Sequence, residues 1–488
     1  MAFSKEEERI LSRYVSNTDK DIYSIFNLPE EVIAVIFAYV SRSPKSFREN
    51  LLSLIQGKEV EVKDLMTVFS DEGITLETAK DKAKRFHEKW VVGYGHSSVA
   101  EHACIHLGVE KISRLASAEL ELAVRFLSFT EYSQRYQRPV RGDFFIPDSL
   151  NSGMKNKFIE FNNFTYDQYA LLNEKLVSYL KSKLDKDKDE SDRAFDSRVE
   201  KIAFEDARYV LPLSVFTNLG MTGNARAIEE ALIKLLSSPV KEVRKMAEAI
   251  KQEGTAVVPV LIKYANENEY LKAASDKISS MKKSSQCTEC DSSCTLMDYT
   301  GRGEKDPEDY ALSIILKALS VDENDDDRKE AYSKIVEKIG KHDYPADVLR
   351  HITYNVKFNV SEACWHQLLR HNREICFSYQ DPTVENRYII PPNIRDAGLS
   401  DVVKKVIEKS NAFYDELMKE APELAVYVVT NAHKRRIFGT FSLWELYHFI
   451  NIRMSEHAQW EIQDLSKELL DQIRKHHPFF VEKIEERK

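Results

Sequence analysis

Glycine and proline are scarce, 15 and 14 in 488 residues, so helical runs are seldom interrupted. Six cysteines do not make a disulfide scaffold. No apolar run is long: Val32 to Val40 is bracketed by Glu30, Glu31 and Arg42 and falls far short of the roughly 20 residues of a membrane span. Positive charge is also short, 70 Lys+Arg against 79 Asp+Glu for a net charge of −9. That balance provides no general field drawing the chain to nucleic acid or an anionic membrane, and any polyanion site must be local. The N-terminal MAFSKEEERI has neither the basic start nor the apolar block of a secretory signal, and the expected compartment is a reducing cytoplasm.

What is present suits a folded soluble protein: 43% hydrophobic and 31% charged residues, with length for two large domains or three ordinary ones. Apolar residues recur at helical spacing, as in Leu115, Leu120, Leu122 and Phe126, or Ile228, Leu232 and Leu235. Charged stretches at Lys181 to Asp192 and Asp322 to Lys329 read as solvated loops or exposed helix ends, and Ser279 to Ser293 as a surface excursion. The chain also repeats itself. Ile112 to Arg125 aligns without a gap on Val360 to Arg373 at an offset of 248, pairing Ser113 with Ser361, Leu120 with Leu368 and Arg125 with Arg373. Each copy then runs into a Ser-containing loop ending in Arg-Tyr, SFTEYSQRY from Ser128 and SYQDPTVENRY from Ser378. Farther on, Thr222 to Leu236 parallels Thr440 to Met454. Ordered matches of this kind indicate an internal duplication.

GHSSVAEH (Gly95 to His102), SFTEYSQRY, ARYVLP (Ala207 to Pro212) and TGNAR (Thr222 to Arg226) resemble, in order, the flavin-dependent thymidylate synthases. HQLLRHNR (His366 to Arg373) resembles the helix entering that family's Arg-His-Arg signature, and YHFINIRMSEHAQWEIQ (Tyr447 to Gln463) its C-terminal helix. The resemblance implies an α+β, mainly helical fold present as a tandem duplication. The expected parts are an N-terminal helical extension (1–84), a first copy (85–270), a Cys-containing insert and linker (271–335) and a second copy (336–488). The amphipathic pattern of the extension, as in Val32, Ile33, Ile36, Phe37 and Val40, predicts packing against the body of the protein.

Placed on a helix, His366, Arg370 and Arg373 stand at i, i+4 and i+7, and Gln367 and His371 at i and i+4. The two rows could grip an anionic cofactor or nucleotide, or could be a solvated face. Glu131 to Tyr136 offers a hydroxyl, backbone N–H groups and a guanidinium suited to a phosphate; its plain alternative is a turn with Arg135 solvated. By the resemblance, Glu131, Ser133, Gln134, Arg135, Arg208 and Gln367 bind the nucleotide, Arg453 contacts the pyrimidine as the catalytic group, and His96, Arg125, Asn224, Arg370, His371, Arg373 and His448 bind the cofactor. A buried ion pair competes as the role of Arg208. The copies depart from the family in complementary ways. The first reads Ala123-Val124-Arg125 at the signature and Leu235 where the second has Arg453; the second reads Glu385-Asn386-Arg387-Tyr388 in the phosphate loop, and Ser442 where the first has Asn224. The expectation is one composite pocket, with Ser133, Arg135 and Arg208 from the first copy and Gln367, Arg370, His371 and Arg453 from the second. Within the signature the third arginine is Asn372, and Arg373 stands next to it as a substitute.

The resemblance further implies reductive methylation of dUMP to dTMP, with FAD as cofactor, NADPH and methylenetetrahydrofolate as co-substrates, and a homodimer of two-copy chains. No metal is expected. Cys376 is placed in the loop after the signature, and Cys287, Cys290 and Cys294 (CTECDSSC) read as free thiols or a redox pair ahead of a metal half-site. Two other functions stay open, a flavin enzyme acting on another pyrimidine nucleotide and a noncatalytic nucleotide-binding paralogue.

Overall fold

TYNVKFNVS alternates polar and apolar residues, and in the computed structural model it is a strand, β5 (Thr353–Ser361), whose Tyr354, Val356, Phe358 and Val360 are buried. It anchors a four-stranded sheet of order β4-β5-β7-β6, with β4 Cys294–Tyr299, β6 Cys376–Tyr379 and β7 Lys434–Ser442. β5 and β7 are antiparallel over their full length, Thr353 facing Ser442 and Ser361 facing Lys434. A Cβ on Gly439 of β7 would come within 2.8 Å of the Phe358 ring, which explains the glycine at that point of the sheet. The other sheet has the order β1-β3-β2, with β1 Cys104–Ser113, β2 Ser128–Glu131 and β3 Phe216–Asn224.

The same order recurs in both sheets: the third strand of each copy lies between the first and second, as β3 does in one and β7 in the other. In each copy the first and the third strand end in a residue that caps the next helix. Ser113 and Ser361 Oγ accept from the N–H groups of Ala116 and Cys364, both at 3.0 Å. Asn224 Oδ1 and Ser442 Oγ accept from Ala227 (2.8 Å) and Glu445 (3.3 Å). The fold is α+β, mainly helical and tandemly duplicated.

The structure describes residues 3–40, 45–55, 97–135, 137–258, 261–281, 292–320 and 328–487. His96, Tyr136, Cys287 and Cys290 lie outside the described residues, as does most of the charged stretch from Asp322. The chain forms two compact units. The first comprises Met1–Ile112, Glu119–Glu131 and Asn218–Lys282; the second comprises Ser113–Ala118, Tyr132–Thr217 and Lys283–Lys488.

In the first unit the helices Lys5–Leu11, Glu30–Val40 and Phe47–Ile55 bury Leu11, Val32, Ile36, Leu51 and Leu52 in a cluster of their own. They also meet the rest of that unit, through Glu30 Oε2, which accepts from Cys104 N–H at 2.9 Å, and Phe37, whose ring lies 4.6 Å from His102. In the second unit the helices Ser152–Lys183 and Asp192–Ala207 pack together, and Trp365, Tyr209, Tyr354, Tyr427, Tyr447 and Phe358 are among its largest fully buried side chains. Among the described residues no helix is long and apolar enough to cross a membrane.

Three local expectations change. The signature segment is not one long helix: Glu362–Leu368 gives way to a 3₁₀ turn at Leu369–His371, and Asn372 and Arg373 follow in a turn. Leu369, 1% exposed, lies in the core, and His366 and His371 are buried as well. Cys376 is the exposed first residue of β6 rather than part of a loop, because the chain enters the sheet immediately after Ile375. Cys294 is buried in β4, and burial lifts its thiol pKa well above the ordinary value, which disfavours a thiolate ligand there.

Candidate functional site

Within the second unit, the loop after Glu131 meets the chain's C-terminal region. Ser133 Oγ accepts from Arg135 N–H at 3.2 Å, folding the loop on itself. Arg135 then spans two elements: its Nε donates to Glu205 Oε2 at 2.6 Å and its Nη2 to the His457 carbonyl at 2.7 Å. It is therefore held, not merely solvated. Gln134 is buried, and its Oε1 faces Asn431 Nδ2 at 3.5 Å. Asn431 also donates to the carbonyl of Arg208, at 2.9 Å.

Arg208 follows the helix Asp192–Ala207 in a short 3₁₀ turn and is 5% exposed. Its Nε reaches the Glu205 carbonyl at 3.3 Å, while Glu205's carboxylate serves Arg135. Arg208 thus makes a backbone contact where an ion pair was the competing expectation. Burial lowers its pKa, with Arg135 and Arg114 adding to the effect and Glu205 opposing it.

The second copy supplies the facing groups. Gln367 Nε2 donates to Gln459 Oε1 at 3.3 Å, and Gln459 caps the helix Trp460–Arg474 while donating to Tyr209 Oη at 2.7 Å. Tyr209 in turn donates to Glu461 Oε2 at 2.6 Å, a carboxylate that also receives Ser361 Oγ and N–H. Arg453, the last residue of the helix Leu443–Arg453, donates through Nη2 to the Gln367 carbonyl at 2.9 Å and through Nε to His371 Nε2 at 2.8 Å. Burial lowers Arg453 to about 10, with the fields of Arg370 and Arg135 pushing the same way. It stays a cation at neutral pH. His366 is pushed well below its usual range by burial and by Arg114, Arg435, Arg370 and Arg208. Arg370 is exposed, its Nε 3.5 Å from the His366 carbonyl, and Arg373 is exposed in the turn beyond.

Among the buried polar atoms here that have no hydrogen-bond partner among the described residues are Arg208 Nη2, Gln134 Nε2 and Gln367 Oε1. Leaving such an atom without a partner costs about 1–3 kcal/mol, so each is a position that a polar occupant could satisfy. Two orphaned donors beside clustered guanidiniums suit an anion, and the orphaned acceptor suits an N–H such as that of a pyrimidine. Beside Arg135 opens a cleft of about 650 Å³ lined in part by Lys201, Glu205, Asn393, His457 and Trp460.

Not every expected residue is brought here. Glu131 closes β2, Arg125 is exposed after the helix Arg114–Leu122, and Asn224 is a helix cap, all in the first unit. His448 lies in the second unit, its ring 5.9 Å from that of His371. Sequence reasoning missed Glu205, Asn431, Gln459 and Glu445. The only sequence signal was indirect: Gln459 lies inside AQWEIQ and Glu205 three residues before Arg208.

The fold defines a duplicated α+β protein in whose second unit side chains of both copies come together, guanidiniums among them. The family described as thymidylate synthase complementing protein matches residues 27–260 and again 295–479. The chain belongs to that family, the flavin-dependent thymidylate synthases, and carries it twice. It is 24% identical over 519 residues to a UPF0159 protein of Chlamydia pneumoniae, covering 98% of this chain and 94% of the relative. It is 30% identical over 200 residues to the flavin-dependent thymidylate synthase of Pyrococcus abyssi, covering 37% of this chain and 78% of that protein. A solved flavin dependent thymidylate synthase from Helicobacter pylori, complexed with FAD and dUMP, matches 39% of this chain and 98% of its own at 19% identity, with a TM-score of 0.31.

Proposed function

We propose that the protein is a cytoplasmic FAD-dependent thymidylate synthase that methylates dUMP reductively to dTMP, using methylenetetrahydrofolate and NADPH, at one composite site in the second unit. The observation that carries the reading is the meeting of Ser133, Gln134, Arg135 and Arg208 with Gln367, Arg370, His371 and Arg453 in a single compact unit. Arg135 and Arg208 would hold the phosphate, the orphaned Gln367 Oε1 would accept from a pyrimidine N–H, and Arg453 would face negative charge developing on the ring.

The exposed guanidiniums of Arg370 and Arg373 suit the anionic groups of FAD, with His371 beneath them as a neutral imidazole. When bound, FAD would supply the hydride chemistry. The chain's own part is to grip the nucleotide, orient it, and oppose developing charge with a cation that never leaves its place. The first copy, with Ala123, Val124 and Leu235, would leave a second pocket incompetent. The assembly we infer is a homodimer of two-copy chains.

The test is direct. Purified protein reconstituted with FAD should show flavin absorbance and convert dUMP to dTMP with the folate donor and NADPH. Protein that binds dUMP but cannot be loaded with FAD would establish the noncatalytic alternative instead, and a preference for another nucleotide in a competition panel would change the acceptor.

A further inference from the structure

His371, Glu445 and Arg453 converge in the second unit. His371 Nδ1 is 2.7 Å from Glu445 Oε1, and Arg453 Nε donates to His371 Nε2 at 2.8 Å. A guanidinium only donates, so Nε2 must carry the lone pair and the ring proton must sit on Nδ1, from which it is given to Glu445. The order carboxylate, imidazole, guanidinium is thereby fixed. We propose that Glu445, acting through His371, is a positioning residue that sets the Arg453 guanidinium against the bound pyrimidine. This rests on the function proposed above.

The other copy shows the same places without the groups. Counting from the caps, His371 is ten residues after Ser361, and Ala123 ten after Ser113. Glu445 and Arg453 lie three and eleven after Ser442; Ala227 and Leu235 lie three and eleven after Asn224. The proximity is retained in the first unit, where Lys234 Nζ donates to the Ala123 carbonyl at 2.8 Å. Ala123, Ala227 and Leu235 are all buried. Where the second copy has carboxylate, imidazole and guanidinium, the first has apolar side chains at all three places, as expected of groups each costly to bury without the others.

Glu445 is 1% exposed and its Oε2 lacks a partner, an expense no structural need in the helix explains. Burial drives His371 well below its usual range, with Arg453 and His448 adding, so the ring stays neutral as the arrangement requires. Burial raises Glu445 to about 8; Glu374 adds to this, and Arg350 and Arg453 oppose it. A cation site is the competing use, because His371, Glu445 and His448 offer ligand atoms within 4.8 Å of one another. It would need a bare Nδ1 on His371, setting Nε2–H against Arg453 N–H, donor facing donor, with the guanidinium repelling the ion.

The experiment uses the full-length protein. Long-range ¹H–¹⁵N spectra should show His371 protonated at Nδ1 and bare at Nε2, and Glu445→Ala should shift both signals. In turnover, Glu445→Gln keeps the acceptor and loses the charge: kcat should stay within a few-fold above pH 8, and the rise in kcat through about pH 8, as the carboxyl ionises, should disappear. Glu445→Ala should lower kcat about 100-fold with a far smaller change in the KM for dUMP. Spectra with the proton on Nε2, an unaltered kcat in Glu445→Ala, or stoichiometric Zn²⁺ binding lost in Glu445→Gln would each overturn the proposal. The spectra decide even where dUMP is not turned over, so failure of the functional reading is told apart from failure of this one.

Discussion

Arg135 and Arg453 come from different copies yet belong to one compact unit of one chain, and that arrangement predicts how two crippled variants behave together. Arg135→Ala removes a guanidinium that already bridges Glu205 and the His457 carbonyl. Losing a charge-assisted grip of this kind costs about 1.5–3 kcal/mol, or roughly 10- to 150-fold in nucleotide affinity. Arg453→Ala removes the cation proposed above to face the pyrimidine and should lower kcat on the order of 100-fold or more. Each chain retains what the other lacks. If every competent pocket is built within a chain, co-expressed and co-purified mixtures should be no more active than the sum of the two variants. Pockets shared across a dimer would instead regain roughly a quarter of wild-type turnover, because half the random pairings are mixed and each holds one intact pocket. Recovery of that size, measured as dTMP formed per flavin with the mixed dimer verified by differential tags, would refute assembly within one chain.

Three further outcomes follow from buried groups. Asp206, 1% exposed, accepts from Trp460 Nε1–H at 2.9 Å and Asn393 Nδ2 at 2.8 Å; burial lifts it from 3.8 to about 7, with Glu205 adding and Arg208 opposing. Its stabilising contribution is complete below about pH 4 and is lost as pH rises through 7, about 4 kcal/mol in all, so urea midpoints from pH 5 to 8 should fall more steeply in the wild type than in Asp206→Asn. Arg435 and Glu362 pair at 2.8 Å with side chains 3% and 1% exposed; Arg435→Met should cost about 3–5 kcal/mol and the double variant with Glu362→Leu should recover most of it, read by denaturant titration. Leu235→Arg, at a position 3% exposed among apolar neighbours, should lower the melting temperature by several degrees without adding turnover.

The sequence reveals the duplication because Ser113 and Ser361, or Asn224 and Ser442, sit at strand ends where capping constrains residue choice. It also exposes the turn of Ser133 and Arg135, which are close along the chain. Glu445 shows why other parts stay hidden. Ser442-Leu-Trp-Glu445 reads as an ordinary capping box, and only the folded backbone shows the carboxylate turned to His371 instead. Glu205, Asn431 and Gln459 are isolated polar residues whose meaning arises from partners up to hundreds of positions away. The helical reading of His366 to Arg373 erred because periodicity carries no information on where a last turn tightens.

The segment Tyr132–Thr217 belongs to the first copy by ancestry and to the second unit by packing, and Ser113–Ala118 likewise. A gene split between the copies would therefore tear polypeptide out of a folded body rather than release two domains. A division of labour across such a weave would keep either ancestral half from being discarded or shuffled elsewhere, and the fusion would act as an evolutionary ratchet.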